Sequence, residues 1–335
     1  MPDDIKTKPF LYISSSPHIA SRVNSRILMS NVLLALAPVS IFGVFLYGVP
    51  ALLTILVSVA SAEIAETLFR KITGQDFRFK DLSTAVTGLL LALVLPPGVP
   101  LWMTALGAAF AIIAAKEFFG GLGANVFNPA LIGRAFLIMS FPAAMTVWPA
   151  PNTLFGAVDA VSGATPLALI KDGLAISGDY WSNAGIFFLG FRQGCIGESS
   201  VLLILCGFLY LLISGTIDWR APLSMILSVF AFSFIFGRDP LIAILAGGVV
   251  FGAVFMATDY VTTPLTSSGK LIFGFGVGLI TVLIRQWGNY PEGVSYGILI
   301  MNAATPYLNK LLQKKYGYVK PPKPGREEKA KGGAK

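Results

Sequence analysis

The chain is a succession of apolar runs broken by short polar connections, and that pattern leaves few folds open to it. Residues 27–47, 51–69, 101–119, 199–213, 221–236, 241–256, 271–284 and 293–312 are candidates for membrane-crossing helices, which need about 20 mostly apolar residues. Two shorter runs, 82–95 and 129–141, stop at Pro96-Pro97 and at Pro142. Only 13% of the 335 residues are charged and 55% are hydrophobic, against about a quarter charged in soluble domains. Such a chain cannot cover a water-exposed surface with polar groups. The sequence therefore predicts an all-α polytopic membrane protein of about ten transmembrane helices.

Charge orients those helices, because cytoplasmic loops collect Lys and Arg. With the N-terminus inside, the inner side receives Lys6, Lys8, Arg22, Arg26, Arg70, Lys71, Arg78, Lys80, Lys116, Arg134, Arg220, Lys270 and the basic residues from Lys310 to Lys335. The outer side holds only Lys171, Arg192, Arg238 and Arg285. A miscounted helix would scramble this split. The expected organisation is a cytoplasmic N-terminal segment (1–26), a first five-helix half (27–141), an extracytoplasmic loop (142–198), a second five-helix half (199–312) and a basic cytoplasmic tail (313–335). The net charge of +8 is thus a topology signal near anionic lipid, and no nucleic-acid partner is expected. Cys195 and Cys206 suit neither a disulfide framework nor a metal site. The lone His18, in a polar segment, receives no role.

Ten spans divide into five and five around the outer loop, which gives the halves opposite orientations. Inverted repeats with interrupted helices at matching positions are a recurrent membrane architecture. The third run ends at Leu95-Pro96-Pro97, and the eighth is followed by Asp259 and then Thr262-Thr263-Pro264. The fifth opens at Asn128-Pro129, and the tenth contains Asn302 and Thr305-Pro306. A 5+5 inverted repeat is the expectation, with a site between the halves.

Within the long outer loop, Asp159-Ala160-Val161-Ser162-Gly163-Ala164-Thr165 precedes Pro166 and an apolar stretch. Thr at an N-cap with Pro behind it reads as a helix start. A plain turn-and-cap is one reading. The other is a phosphate ester on the Thr165 hydroxyl, since a helix N-terminus favours an anion and the small Gly163 and Ala164 let a modifying enzyme approach. Gly120-Gly121-Leu122-Gly123 is by itself a tight connection, and no strand precedes it as a dinucleotide fingerprint requires. Among acids within spans, Glu63 and Glu66 share one face of the second helix, with Glu63 expected to lie deeper. Asp259 lies beside several Thr hydroxyls. Such acids are candidates for an ion pathway, set against simple buried hydrogen-bonded groups. Lys116 and Glu117 are expected to snorkel or pair locally.

The pattern Asp159-x-x-Ser162-Gly163-Ala164-Thr165 resembles a flavinylation motif. The similarity extends to Ser16-Pro17-His18, to the stretch from Lys80 to Leu93, to Lys116-Glu117-Phe118-Phe119-Gly120-Gly121 with Asn125 and Asn128-Pro129, and to Phe255-Met256-Ala257-Thr258-Asp259. Together these make the chain similar to the family that contains the D subunit of the Rnf complex and the B subunit of the sodium-translocating NADH:quinone reductase. The resemblance implies a fold similar to urea and ammonium channels and a bacterial inner-membrane location. It implies FMN joined to Thr165 by an FMN transferase, and a second, non-covalent flavin (riboflavin or FMN), with Gly120 and Gly121 carried over to that region. It further implies partners RnfA, RnfB, RnfC, RnfE and RnfG, the cytoplasmic ones among them handling ferredoxin and NAD. The chain itself has neither an iron–sulfur cysteine set nor a nucleotide fold. No catalytic or metal-ligating residue is expected, and transport of sodium or of protons stays open. A quinone-reductase subunit and a solute channel without a redox role are the alternatives.

Overall fold

The computed structural model describes residues 24–76, 81–151, 167, 180–288 and 292–312. Among them the regular structure is helical and no strand forms. The helices are α1 (Ser25–Tyr47), α2 (Val49–Thr73), α3 (Ser83–Leu93), α4 (Leu101–Ala115), α5 (Pro129–Ser140), α6 (Pro142–Met145), α7 (Tyr180–Leu189), α8 (Val201–Ile213), α9 (Arg220–Ile235), α10 (Pro240–Leu245), α11 (Val249–Phe251), α12 (Ser267–Trp287) and α13 (Val294–Leu312). Four stretches are long and apolar enough to cross a membrane: α1, α2, Leu101–Phe119 and α12. Four shorter apolar helices, α3, α5, α8 and α9, accompany them. The chain is a multi-pass membrane protein.

Local chemistry sets the ends of these helices. The Asn24 side chain accepts the Ile27 N–H at 3.0 Å and starts α1. Gly48 alone separates α1 from α2, with φ of 67°, a left-handed conformation that costs glycine nothing. Asn128 accepts the N–H groups of Ala130 and Leu131 (3.1 and 3.4 Å) and starts α5 ahead of Pro129. Before α3, Leu82 is the only described non-glycine residue with positive φ (60°). That strain is held by Asp81, whose carboxylate accepts both the N–H and the hydroxyl of Ser83 at 3.1 and 3.0 Å.

Helix pairing follows from small residues, because lipid tails are as apolar as the helices and give them no hydrophobic reason to associate. α2 packs against α3 and α4, α4 against α5, α1 against α8, α9 against α12, and α12 against α13. A Cβ on Gly88 of α3 would lie 2.8 Å from the Cα of Val59, and Ser58 donates to the Gly88 carbonyl at 2.7 Å. In α12, a Cβ on Gly274 would overlap the Ala221 carbonyl oxygen of α9.

Not every apolar run forms one helix. α3 has 11 residues, about 16 Å of rise, or roughly half of the ~30 Å hydrocarbon core. The run 241–256, expected as one span, is broken. α10 ends at Leu245, Gly247 takes φ of 73°, and α11 continues into a wider π-helical turn at Gly252–Met256. The break survives because the carbonyls it frees meet guanidinium groups. Arg285 donates to Ala243 and Ala246 (2.6 and 3.3 Å), and Arg192 donates to Leu245 and, at 3.4 Å, Gly247.

We expect Gly274→Ala to destabilise the protein by roughly 1–3 kcal/mol, the range for overpacking, because the atom it meets is backbone. A Cβ on Gly185 of α7 would meet nothing within 4 Å, so Gly185→Ala should be neutral. Thermal aggregation midpoints of the detergent-solubilised variants test this, and equal midpoints would refute it.

Candidate functional site

Three polar constellations lie within this apolar scaffold. The first surrounds a cleft between α1, α3, the start of α5, α8 and the turn after Met256. The cavity itself holds about 70 Å³ and opens into about 680 Å³ of space with its mouth included, so it is a narrow cleft beside the ~300–1,000 Å³ of typical small-molecule sites. Its walls are mostly apolar, with Val86, Leu90 and Phe255 among them, while Asn125, Asn128 and Thr258 supply polar groups. Ser83 of α3 and Pro129 of α5 both line it, so two helix N-termini, with their positive dipole ends, border one space. A flat aromatic ring that accumulates negative charge on reduction fits this donor set. Gly120 and Gly121 are not among the residues lining the cleft. They adopt φ of 108° and 90° in the turn that closes α4, the Gly121 N–H bonding to the Lys116 carbonyl at 3.0 Å. That turn delivers Asn125 and Asn128 to the cleft.

Beside the cleft is a buried ion network. Glu66 pairs with Arg70 at 3.1 Å and with Lys116 at 3.3 Å, and Arg70 also reaches Glu117 at 3.1 Å. The Lys116 ammonium donates to the Ser83 and Thr84 hydroxyls at 2.8 and 2.7 Å, and Thr84 donates to Glu66. Lys116 and Glu117, expected to snorkel or pair locally, are instead buried and bonded across helices α2, α3 and α4. The two acids that share one face of α2 differ in their packing. Glu66 is 5% exposed, whereas Glu63 is half-buried, because α3 packs on the turn of α2 that carries Glu66.

Asp259 follows the π-helical turn. Its carboxylate accepts the Val261 N–H (3.4 Å) and the Thr262 hydroxyl (3.2 Å), the threonine neighbourhood expected from sequence. The residue lines both the cleft and a polar vestibule that contains Thr216, Asp218, Tyr260 and Lys270. In that vestibule Asp218 bonds to Arg220 at 2.8 Å and Lys270 at 3.1 Å. Partial burial works against the Asp218 charge, yet the Arg220 N–H and the two cationic side chains hold its carboxyl below the ordinary range.

The third constellation lies at the opposite end of α2, whose 25 residues cover about 37 Å. There the Tyr47 hydroxyl donates to the Arg192 carbonyl at 3.0 Å. Arg134 of α5 bonds to Glu292 and approaches Glu198 at 3.9 Å. Arg134, counted by position among the inner-side charges, is therefore a buried ion-pair partner (3% exposed) and no loop charge. The Sγ of Cys195 and the carboxylates of Glu198 and Glu292 lie within 4.8 Å of one another. Arg134 already supplies the positive charge there that a metal ion would bring. Sequence reading missed Glu198 and Glu292. The available signal was two acids flanked by glycine next to apolar runs, Gly197-Glu198 and Glu292-Gly293.

Asp159, Ser162, Gly163, Ala164 and Thr165 lie outside the described residues, as does His18. Leu167, two residues after Thr165, is described. It is 9% exposed and lines a small cavity with Arg192, Glu198, Gly247 and Glu292.

Residues 12–317 match the pattern of the NQR2, RnfD, RnfE family. The chain is 42% identical over 312 residues to the D subunit of the Na(+)-translocating ferredoxin:NAD(+) oxidoreductase complex of Acetobacterium woodii, covering 92% of this chain and 96% of the relative. It is 43% identical to the D subunit of the proton-translocating ferredoxin:NAD(+) oxidoreductase complex of Clostridium ljungdahlii, covering 91% and 96%. With the D subunit of the ion-translocating oxidoreductase complex of Stutzerimonas stutzeri it shares 38% identity, covering 85% and 89%. A match of this extent, over nearly the whole chain, means that the chain belongs to the NQR2, RnfD, RnfE family.

Proposed function

We propose that this chain is the D-type membrane subunit of an ion-translocating ferredoxin:NAD oxidoreductase complex, carrying electrons through FMN joined by its phosphate to Thr165. The observation that carries this reading is near-full-length similarity to subunits of that name, together with the intact Asp159-x-x-Ser162-Gly163-Ala164-Thr165 sequence. The partners are the other Rnf subunits, the cytoplasmic ones handling ferredoxin and NAD. The loop carrying Thr165 faces away from the cytoplasm and both termini face it, in keeping with the distribution of Lys and Arg.

A second, non-covalent flavin occupies the cleft beside Asn125 and Asn128. Its apolar walls and the two helix N-termini support this assignment. A flavin supplies one- and two-electron chemistry when bound, and the protein supplies position and electrostatics. Here Val86, Leu90 and Phe255 exclude water from the ring, while the Asn128-capped start of α5 stabilises negative charge on it. The ion pathway involves Asp259, between cleft and vestibule, and the acids Glu63 and Glu66 of α2. The halves form a 5+5 inverted repeat similar to channel-like folds. Matching pairs support it: α2 with α4 answers α9 with α12, and half-length α3 answers the broken α10–α11.

Thr165→Val should abolish in-gel flavin fluorescence of this subunit and leave its membrane insertion unchanged; retained fluorescence would sink the covalent assignment. Thr87→Trp, on the cleft-facing side of α3, should lower non-covalent flavin to less than half of the wild-type stoichiometry while the covalent flavin persists. Unchanged extracted flavin would remove the second site from the cleft. The relatives differ in their named ion, so sodium-22 uptake by vesicles driven with reduced ferredoxin, with and without a protonophore, identifies the ion. Uptake that survives the protonophore means sodium; uptake that collapses means protons.

A further inference from the structure

We propose that Glu198 and Glu292 form a proton-exchanging carboxylate pair that answers the charge on the loop carrying Thr165. This rests on the reading that a flavin is attached there. Cys195, Glu198 and Glu292 place their ligand atoms within 4.8 Å of one another. Glu198 is buried and Glu292 half-buried, and carboxylates this close repel, which favours a proton on Glu198. Only Arg134 reaches both as an ion-pair partner among the described residues. The other nearby guanidinium groups, Arg192 and Arg285, are committed to carbonyls at the break after α10. They favour the ionised acids through space, while the acid–acid repulsion favours the proton. Tyr47, bonded to the Arg192 and Gly194 carbonyls, completes the surroundings. Opposed influences of this kind leave the pair responsive to one further charge.

The pair also separates two cavities. Glu198 and Glu292 line an inner one with Arg134, Phe251 and Met256, and an outer one with Leu167 and Gly194. Each has space on the order of one water molecule. The Arg134 Nε is buried without an acceptor among the described residues, and it borders the inner cavity, where a water oxygen would satisfy it. A hydrated proton can enter this sequence of water, carboxylate and water. A metal cation would meet the Arg134 guanidinium instead.

Leu167 connects the pair to the flavin loop. Leu167, two residues after Thr165 in the sequence, lines this outer cavity. An electron arriving on a group bound there raises the proton affinity of the pair. One carboxylate oxygen takes a proton from external water, forming an O–H bond, and releases it when the electron leaves. The electron comes from reduced ferredoxin through the complex, and the carboxylate itself is neither oxidised nor reduced.

Redox-difference infrared spectroscopy of the intact complex tests this, in H2O and in D2O. Reduction should produce a protonated-carboxyl C=O band that shifts in D2O. Glu198→Gln and Glu292→Gln should each remove or displace that band. Glu198→Asp, which keeps the acid should the amide variants assemble poorly, should retain it at a shifted frequency. Flavin fluorescence of the subunit is recorded on the same sample. A fluorescent subunit without the band, or a band identical in all three variants, overturns the acid pair. A subunit without fluorescence overturns the flavin on Thr165 and this inference with it.

Discussion

A helix that stops inside a bilayer leaves peptide groups without water to bond to, and each unsatisfied group costs several kcal/mol. Much of the polar architecture of this chain answers that constraint. α3 stops after Leu93 and the next span begins only at Leu101; α10 stops at Leu245 and helix resumes at Val249. At the second stop, Arg192 and Arg285 bring fixed donors to the carbonyl end of α10. At the first, the Leu95 carbonyl accepts the Ile196 N–H at 3.3 Å, and the Cys195 thiol donates to the Val94 carbonyl at 3.1 Å. The segment from Arg192 to Glu198 thus serves both interrupted helices. It bonds to both stops where a continuous helix would have needed no such partner.

The charges this requires are costly to bury, and they are tolerated only in connected groups. Removing one partner of a buried pair costs about 3–5 kcal/mol, chiefly from the orphaned charge. Glu66, Arg70, Lys116 and Glu117 share partners across α2, α3 and α4, and Ser83 and Thr84 take the remaining hydrogens of the ammonium. This network fixes the start of α3, and with it the wall of the cleft. The site geometry is therefore set by ion pairs, one of whose members, Lys116, also lines the cleft.

Most of the helix positions were legible in the sequence because apolar runs and helix stops are local signals: the Asn128-Pro129 start and the Pro96-Pro97 stop both mark real boundaries. Partnership between distant residues was not. Glu63 and Glu66 share a face, and only the packing of α3 on α2 distinguishes them. The break after Leu245 was hidden because Gly247-Gly248 within an apolar run also suits close helix packing, and Arg192 and Arg285, which make the break tolerable, are far away in sequence. Arg134 was misplaced for a related reason. A positional charge count treats every Arg as solvated, whereas this one is matched by acids from two remote loops. For the cleft, the glycines attracted attention as a motif, but their role is the turn, and the polar contacts come from Asn125 and Asn128 downstream.

The buried cations differ in kind, and the difference follows from what each must bind. Lys116 is a compact charge with three rotatable donors, suited to hydroxyls and one carboxylate converging on a point. Arg192 and Arg285 face carbonyls spread along a helix end, and a planar fork reaches several at once. Arg134 uses the same geometry to bridge acids that approach from separate segments. Because the guanidinium stays protonated under all physiological conditions, the fixed charge at this end cannot relax by losing a proton. Any adjustment to a new charge nearby must then come from the carboxylates, which makes the composition of the cluster, and not its burial alone, the reason that its acids are the responsive members.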